Sequence, residues 1–286
     1  FKALLTSYFV IETPALEIMD KGTDISHFWL NEDAHLDADA YLIYTSGSTG
    51  KPKGVIIDYA ALNDFTLAGE LDYQFDHSDV VLQFAPYHFD ACIEEVFITL
   101  SVGAQLVLRN DEMLNSASEF FEQCKNWQIT TLDLPTAYWH ELALATESLS
   151  LKIPECIKTI IIGGEAVQET KVALWRKRFG TQVKLFNTYG PSEATVVATY
   201  ADLAQNISPK FIGKPILGRQ VVIVDEQLNI LPKGEAGELL LLGAGLSKGY
   251  LNLPEQTRNS FIEISINNTD KKFKAYRTGD LACIHD

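Results

Sequence analysis

The residues best suited to phosphate chemistry lie in one run from Thr45 to Gly54, which reads Thr-Ser-Gly-Ser-Thr-Gly-Lys-Pro-Lys-Gly. Glycines let successive backbone N–H groups converge on an anion, serine and threonine hydroxyls add donors, and Lys51 or Lys53 adds positive charge. Two residues separate Gly47 from Gly50, whereas a Walker A loop needs four between its glycines, which excludes that loop. The run predicts another kind of phosphate-binding loop, with an ordinary surface turn as the alternative.

The elements around this run alternate in type. Over residues 41–208, short β-branched runs alternate with amphipathic segments, which predicts a layered α/β sheet. Ser116 opens a capping box and Gly180 follows a basic helix. Residues 209–286 contain strands separated by Pro and Gly turns, which predicts a β-rich subdomain. We therefore expect two parts, residues 1–208 and 209–286. The predicted strands are residues 41–44, 80–84, 104–108, 129–132, 159–162, 183–186, 220–225, 229–231 and 238–242.

Composition and charge exclude several classes of protein. The 286 residues are 47% hydrophobic and 21% charged, which excludes disordered and collagen-like chains. The formal net charge is −15 and no run is rich in Lys or Arg, so nucleic acid is not an expected partner. No apolar run reaches the roughly 18 residues of a membrane helix and the first residues do not resemble a signal peptide, so we expect a cytoplasmic protein with no membrane partner. A first residue other than Met suggests a fragment.

The cysteines support neither a metal site nor a disulfide scaffold. They are far apart in the sequence, with no C-x-x-C pair and no histidine at metal-ligand spacing. We expect buried thiols in a reducing cytosol. The four residues are Cys92, Cys124, Cys156 and Cys283.

Four further segments follow the glycine-rich run. They are Phe89-Asp-Ala91, Asn187-Thr-Tyr-Gly-Pro-Ser-Glu193, Gly237 to Leu251 and Tyr276-Arg-Thr-Gly-Asp-Leu281. In this order the motifs resemble the adenylate-forming superfamily, most closely the adenylation domains of nonribosomal peptide synthetases, from about Asp37 to the last residue. The resemblance implies layered α/β sheets followed by a β-rich, distorted-barrel subdomain. The small C-terminal subdomain of full-length members, with its lysine, is expected to be absent.

The resemblance also implies an activity. Members of the family convert ATP and a carboxylic acid into an acyl-adenylate and pyrophosphate, then pass the acyl group to the phosphopantetheine thiol of a carrier protein. The partners implied are a peptidyl carrier protein and other synthetase domains. The catalytic residues implied are Thr45, Lys51 and Glu193, with Glu193 also binding Mg²⁺.

The nucleotide site implied by the resemblance draws on several motifs. Tyr189 would stack on adenine, the turn at residues 163–166 would line the edge of the base, and Asp280 would accept hydrogen bonds from the ribose hydroxyls. The implied ATP-binding residues are Ser46, Gly47, Ser48, Thr49, Gly50, Lys51, Gly164, Glu165, Ala166, Asn187, Thr188, Tyr189 and Asp280.

The expected carboxylic acid is an amino acid. By resemblance, Asp90 pairs with the α-ammonium group of the substrate. A fatty acid has no ammonium group for this pairing. An unpaired carboxylate in an apolar tunnel would cost several kcal/mol. The implied substrate-binding residues are Asp90, Ala91, Glu94, Asp133, Ile161, Gly163, Thr188, Val196 and Val197.

Two acids in this pocket, Glu94 and Asp133, predict a basic substrate. Glu94 stands four residues after Asp90 and is expected on the same helix face. A cation about 4 Å from a carboxylate gains on the order of 4 kcal/mol at an effective dielectric constant near 20. We expect Lys or ornithine, then Arg. Neighbouring Glu95 is assigned no role.

Three alternatives remain at this point. The chain is an acyl- or aryl-CoA ligase, which Asp90 disfavours, or a catalytically weak fragment that binds substrates without the missing lysine. In the third alternative, Glu94 or Asp133 pairs with a Lys or Arg of the protein, and these acids then do not indicate the substrate.

Overall fold

A computed structural model describes residues 35–45, 51–266 and 271–285. The strands are β1 (Asp39–Thr45), β2 (Lys53–Asp58), β3 (Val80–Gln83), β4 (Gln105–Leu108), β5 (Thr131–Pro135), β6 (Thr159–Gly163), β7 (Lys184–Tyr189), β8 (Thr199–Asp202), β9 (Lys214–Pro215), β10 (Arg219–Val224), β11 (Gly237–Gly243), β12 (Gly249–Tyr250), β13 (Phe261–Ser265) and β14 (Lys272–Ala282). The helices are α1 (Tyr59–Tyr73), α2 with consecutive segments Ala91–Ile93, Glu94–Ile98 and Thr99–Ser101, α3 (Ala117–Asn126), α4 (Thr136–Ser148), α5 (Glu169–Phe179) and α6 (Pro254–Ser260).

The largest sheet has seven strands in the order β4-β3-β5-β6-β7-β8-β9. The pairs from β4 to β7 are parallel, and β8 and β9 continue the sheet antiparallel. Parallel strands need long crossover connections, which the alternating helices supply. The predicted α/β layering is confirmed.

Each face of this sheet covers a separate hydrophobic core. Asp133, Ile161 and Phe186 are neighbours across β5, β6 and β7, and they share one face because side chains alternate along a strand. Ile161 and Phe186 pack there with residues of α1 and α2. Leu132 and Ile160 point to the opposite face, which α3, α4 and α5 cover. The acid Asp133 therefore projects toward α1 and α2.

The β-rich part contains an antiparallel four-stranded sheet in the order β10-β11-β14-β13. Within the described residues this sheet is open, and its strands do not close into the expected distorted barrel. Residues 229–231 form no strand; Ile230 makes only an isolated bridge to Val224.

Two short strands connect the β-rich part to the rest of the molecule. β9 joins the seven-stranded sheet through β8, and β12 joins β1 and β2 in a three-stranded sheet. The sheets are therefore shared across residue 209, where the sequence alone suggested a boundary.

Local signals at the helix ends match the sequence. The Ser116 hydroxyl accepts the backbone N–H of Glu119 at 3.1 Å, as in a capping box, and Gly180 ends α5 with a φ of 56°. The middle segment of α2, Glu94–Ile98, is a π-helix, which the sequence did not indicate.

The described part of the chain contains no helix that is both long and apolar enough to cross a membrane. The four cysteines are free thiols; Cys92 and Cys124 are buried as expected, and Cys156 and Cys283 are half-buried.

Candidate functional site

A cavity of about 620 Å³ lies between the α/β part and the four-stranded sheet. Its lining comes from the end of β1, the start of β2, the start of α2, the turn after β7, and β14 with its neighbours. The lining residues are Thr45, Lys53, Asp90, Gly190, Pro191, Ser192, Glu193, Glu238, Tyr250, Asn259, Ser260, Tyr276, Arg277, Thr278 and Gly279. The fold thus gathers residues from motifs that are far apart in the sequence around one space.

The structure describes only the two ends of the glycine-rich run, Thr45 and residues 51–54. Ser46, Gly47, Ser48, Thr49 and Gly50 lie outside the described residues. Thr45 and Lys53 line the cavity from either side of that run.

Glu193 is the buried carboxylate of the cavity wall. It lies in a short helical turn, Ser192–Ala194, and is 5% exposed. The Tyr250 hydroxyl donates to Glu193 Oε1 at 2.6 Å, and Lys53 Nζ is 4.0 Å from the same oxygen. Lys53 Nζ also donates to the Tyr250 hydroxyl at 3.2 Å and lies 4.3 Å from the centre of its ring. Lys53 therefore supplies positive charge at this wall, whereas Lys51 is exposed and outside the lining.

The backbone around Glu193 is strained. Thr195 and Val196 have φ values of 56° and 66°, which β-branched residues rarely adopt. A Cβ atom on Gly190 would lie 2.5 Å from the Val196 carbonyl oxygen, so the chain folds back on itself at this glycine. The Thr195 hydroxyl donates to the Gly245 carbonyl at 2.7 Å and holds the turn.

Asp90 reaches the same cavity from the start of α2. The Ser192 hydroxyl donates to Asp90 Oδ2, which joins this carboxylate to the turn that carries Glu193. Burial raises the pKa of Asp90, and the nearby Glu193 charge adds to that effect.

The predicted nucleotide residues are partly brought together. The Tyr189 hydroxyl donates to Asp280 Oδ2 at 2.5 Å, which places the expected adenine and ribose partners side by side. Burial raises the pKa of Tyr189, and the Asp280 hydrogen bond raises it further. Residues 164–166 form an exposed turn after β6. Asn187 is buried and points to the opposite face of the sheet from Thr188.

Several residues of the predicted side-chain pocket lie on or near the face of the sheet that α2 covers, although of the predicted substrate residues only Asp90 lines the cavity described above. Ile161, Val196 and Val197 are buried in one hydrophobic cluster, and Ala91 packs against it. Gly163 and Thr188 are neighbours on β6 and β7; a Cβ atom on Gly163 would lie 2.5 Å from the Thr188 hydroxyl.

Three acids are buried close to these predicted substrate residues. Glu94, Glu95 and Asp133 are 3%, 1% and 8% exposed. Glu94 and Glu95 are consecutive residues of the π-helical segment of α2, a kind of segment that is frequent at functional sites. Burial raises the pKa of Asp133 well above its usual range, and the charges of Glu94, Glu95 and Asp90 raise it further.

The three acids differ in their hydrogen bonds. The Glu95 carboxylate accepts the backbone N–H groups of Phe84 and Ala85 at 2.8 and 2.9 Å and the Gln83 amide at 3.0 Å. The Tyr73 hydroxyl donates to Glu94 Oε1 at 2.6 Å. Asp133 Oδ2 is buried and has no hydrogen-bond partner among the described residues.

These hydrogen bonds give Glu95 a structural role, whereas Glu94 and Asp133 remain able to bind a ligand. Glu95 holds the chain where it leaves β3, although burial raises its pKa to about 8. Burial also raises the pKa of Glu94 to about 7, and the hydrogen bond from Tyr73 opposes that shift. The ion pairs within the described residues include neither Glu94 nor Asp133, so the pairing of these acids with a Lys or Arg of the protein finds no support there.

Sequence reasoning missed Tyr73 and Tyr250 as members of the site. Tyr250 belongs to a quoted motif, so its position in Gly-Tyr-Leu was a usable signal. Tyr73 lies between Asp72 and Gln74 at the end of α1 and packs in the hydrophobic core, and no local pattern distinguishes it from an ordinary core aromatic.

The chain resembles known proteins over most of its length. The family model for AMP-binding enzymes matches residues 8–251. The isonitrile lipopeptide synthase of Streptomyces coeruleorubidus is 45% identical over 250 residues, which cover 86% of this chain and 16% of that protein. Tyrocidine synthase 2 of Brevibacillus parabrevis is 35% identical over 249 residues, which cover 85% of this chain and 7% of that protein. The chain therefore spans a small part of these relatives.

Solved structures share the fold. The N-terminal subdomain of NpsA from Klebsiella oxytoca, in complex with 3-hydroxybenzoyl-AMSN, is 26% identical with a TM-score of 0.73, covering 87% of this chain and 62% of that one. NpsA-ThdA, an artificially fused adenylation–PCP di-domain from the same organism, is 26% identical with a TM-score of 0.75, covering 87% of this chain and 49% of that one.

Proposed function

The chain belongs to the AMP-binding enzyme family, and from this premise we propose that it is the adenylation core of a nonribosomal peptide synthetase that activates a basic amino acid. The observation that carries the proposal is the convergence of the separate motifs on one cavity, with Asp90, Glu193 and Lys53 on its walls. The similarity to peptide synthases adds support. We retain residues 1–208 and 209–286 as the two parts of this core.

The reaction joins two anions. An oxygen of the substrate carboxylate attacks the α-phosphorus of ATP, the bond from that phosphorus to the bridging oxygen breaks, and pyrophosphate leaves with the electron pair. The carboxylate is already ionised at neutral pH, so this step needs no general base. The protein must instead offset charge repulsion and align the reactants.

Residues that line the cavity and residues of the neighbouring motifs divide the roles in this scheme. The glycine-rich run, with Thr45, Lys51 and Lys53, binds the departing phosphates, and Asp90 binds the α-ammonium group. Tyr189 stacks on adenine and Asp280 binds the ribose. The hydrogen bond between Tyr189 and Asp280 is consistent with these neighbouring roles.

Mg²⁺ fits this site through Glu193. Proteins commonly hold Mg²⁺ with one or two carboxylates together with substrate phosphates. Glu193 offers a buried carboxylate on the cavity wall, and the described residues contain no cluster of acids or histidines that would hold a metal by themselves. When bound, the ion would neutralise phosphate charge.

The basic substrate is supported by Glu94 and Asp133. Both acids are buried next to the proposed pocket and neither forms an ion pair within the described residues. A buried acid with an unpartnered oxygen is stabilised when a cation binds it. Lys and ornithine have the aliphatic stem and compact ammonium for this pocket, and Arg follows them. The activated acyl group then passes to the phosphopantetheine thiol of a peptidyl carrier protein.

The test is ATP–pyrophosphate exchange with the full-length protein that carries this sequence, run across a panel of amino acids. We expect highest exchange with Lys, ornithine or Arg, and loss of exchange with the des-amino analogue of the preferred substrate. Combining Glu94→Gln with Asp133→Asn should lower activation of basic amino acids by tenfold or more. Glu122→Gln, at an exposed position of α3, is the matched control and should leave activation unchanged. An unaltered preference in the double variant would refute the basic substrate, and equal rates with the des-amino analogue would refute the amino acid.

A further inference from the structure

Tyr73 donates a hydrogen bond to Glu94, one of the two acids proposed to bind the substrate side chain. It ends α1, is 2% exposed, and donates its hydroxyl proton to Glu94 Oε1 at 2.6 Å. Its ring lies 5.4 Å from that of Phe186 and 6.2 Å, edge-on, from that of Tyr200. Aromatic packing therefore fixes the direction of the hydroxyl.

The groups around Glu94 are predominantly acidic. Asp90 directly precedes α2 and Glu95 belongs to it, Asp133 comes from β5, and Asp72 lies beside Tyr73 on α1. The Asp72 carboxylate is engaged elsewhere, because it accepts the Tyr200 hydroxyl at 3.0 Å and the backbone N–H of Leu217 at 2.8 Å.

We propose that Tyr73 is a positioning residue for substrate selection: its hydroxyl holds the Glu94 carboxylate ionised and oriented, so that Glu94 and Asp133 together bind the cationic end of the substrate side chain. The inference rests on the proposed basic amino acid substrate. It assigns a role in selection to a residue outside the predicted pocket lining.

The physical reason is a competition between burial and hydrogen bonding. Burial disfavours the charged carboxylate and raises the pKa of Glu94 to about 7, while the Tyr73 hydrogen bond favours the charged form and lowers it. Binding of a cation requires the ionised form. Removing the hydroxyl therefore raises the pKa of Glu94. As pH falls, binding of the basic substrate then weakens at a higher pH than in the wild type.

The experiment measures KM and kcat for the preferred basic amino acid between pH 6 and 8.5, by ATP–pyrophosphate exchange with the full-length protein. For Tyr73→Phe we expect KM to rise about fivefold at pH 7 and about tenfold at pH 6, since a hydrogen bond to a charged group corresponds to roughly one pKa unit and the pKa of Glu94 is about 7 before the substitution. The KM-against-pH curve should move up by about one unit, with kcat changed less than twofold.

The matched control is Tyr200→Phe. Tyr200 lies in the same aromatic cluster and also loses one hydrogen bond to a carboxylate, but its partner is Asp72. Its KM curve should coincide with that of the wild type. In a Glu94→Gln background, Tyr73→Phe should have no further effect on KM.

A second substitution keeps the test decisive if Tyr73→Phe fails to fold. Replacing Tyr73 by 3-fluorotyrosine keeps the shape and strengthens the donor, so the KM curve should move to lower pH. An unshifted curve in either substituted protein, while the wild type activates a basic amino acid, would overturn this inference alone. A wild type that activates no basic amino acid would overturn the proposed substrate and this inference with it.

Discussion

Replacing Glu94 by glutamine is expected to stabilise the folded protein even though it weakens binding of a basic amino acid. Glu94 is 3% exposed and lies close to Asp90 and Asp133, so the folded state confines acids that water would solvate freely. Glutamine has nearly the same shape, retains an oxygen for the Tyr73 hydroxyl, and carries no charge to desolvate.

The magnitude follows from the shifted pKa. Burial raises the pKa of Glu94 from 4.5 to about 7 in the folded protein. The Glu94 carboxyl group holds its proton more tightly in the folded protein than in the unfolded chain. Stability is therefore lost progressively as pH rises from about 4.5 to about 7, and the penalty is fully developed above about 7. At about 1.4 kcal/mol per pKa unit, the penalty reaches roughly 3 kcal/mol at pH 8. Glu94→Gln should therefore stabilise the protein by about that amount at pH 8 and by almost nothing at pH 4.5.

The assay is urea denaturation at several pH values, followed by tryptophan fluorescence. Trp139 and Trp175 are 0% and 1% exposed and lie in the core on the other face of the sheet, so they report unfolding without contacting the substituted residue. Glu122→Gln on the exposed face of α3 is the control and should match the wild type at each pH. A Glu94→Gln protein that is no more stable than the wild type at pH 8, or whose advantage does not change with pH, would refute the reasoning.

Two further substitutions probe the architecture around the cavity. Gly190→Ala should lower the free energy of unfolding by about 3 kcal/mol, because its Cβ would lie 2.5 Å from the Val196 carbonyl oxygen and 2.7 Å from Ala198 N. Gly54→Ala is the control, because its Cβ would meet only side-chain atoms, the nearest being Leu42 Cδ1 at 3.0 Å, and it should cost less; equal losses in urea denaturation would contradict the packing argument. Asp64→Ala should destabilise by about 3 kcal/mol, because it leaves the fully buried Arg219 guanidinium without its carboxylate. Asp111→Ala removes an ion pair with Arg109 whose carboxylate is 99% exposed, so it should change stability little. An equal effect of the two substitutions would show that burial does not decide the cost.

Much of the α/β part follows from local pattern. The run Thr159-Ile-Ile-Ile162 forms β6 because a parallel strand covered on both faces is continuously apolar. Ser116 and Gly180 mark helix ends because they satisfy backbone groups within their own turn.

The sheet connections were less predictable. β9 and β12 have two residues each, too short for a period to be read, and they pair with strands from earlier parts of the chain. Residues 229–231 carry a strand-like pattern, but only Ile230 makes a bridge. Pairing with strands that are distant in the sequence determines whether these residues form strands, and local residue propensities do not predict that pairing.

The sequence by itself determined the family and the order of the motifs, because both depend on residue type and spacing. It also placed acids at positions 90, 94 and 133. What only the tertiary structure decided is the state of those acids. Glu94 and Glu95 are chemically identical neighbours, yet Glu95 is held by backbone N–H groups after β3, while Glu94 is held by Tyr73 from α1 and lies close to Asp133. A carboxylate's availability depends on donors and burial in three dimensions, and these are set by how α1, α2 and β5 pack together.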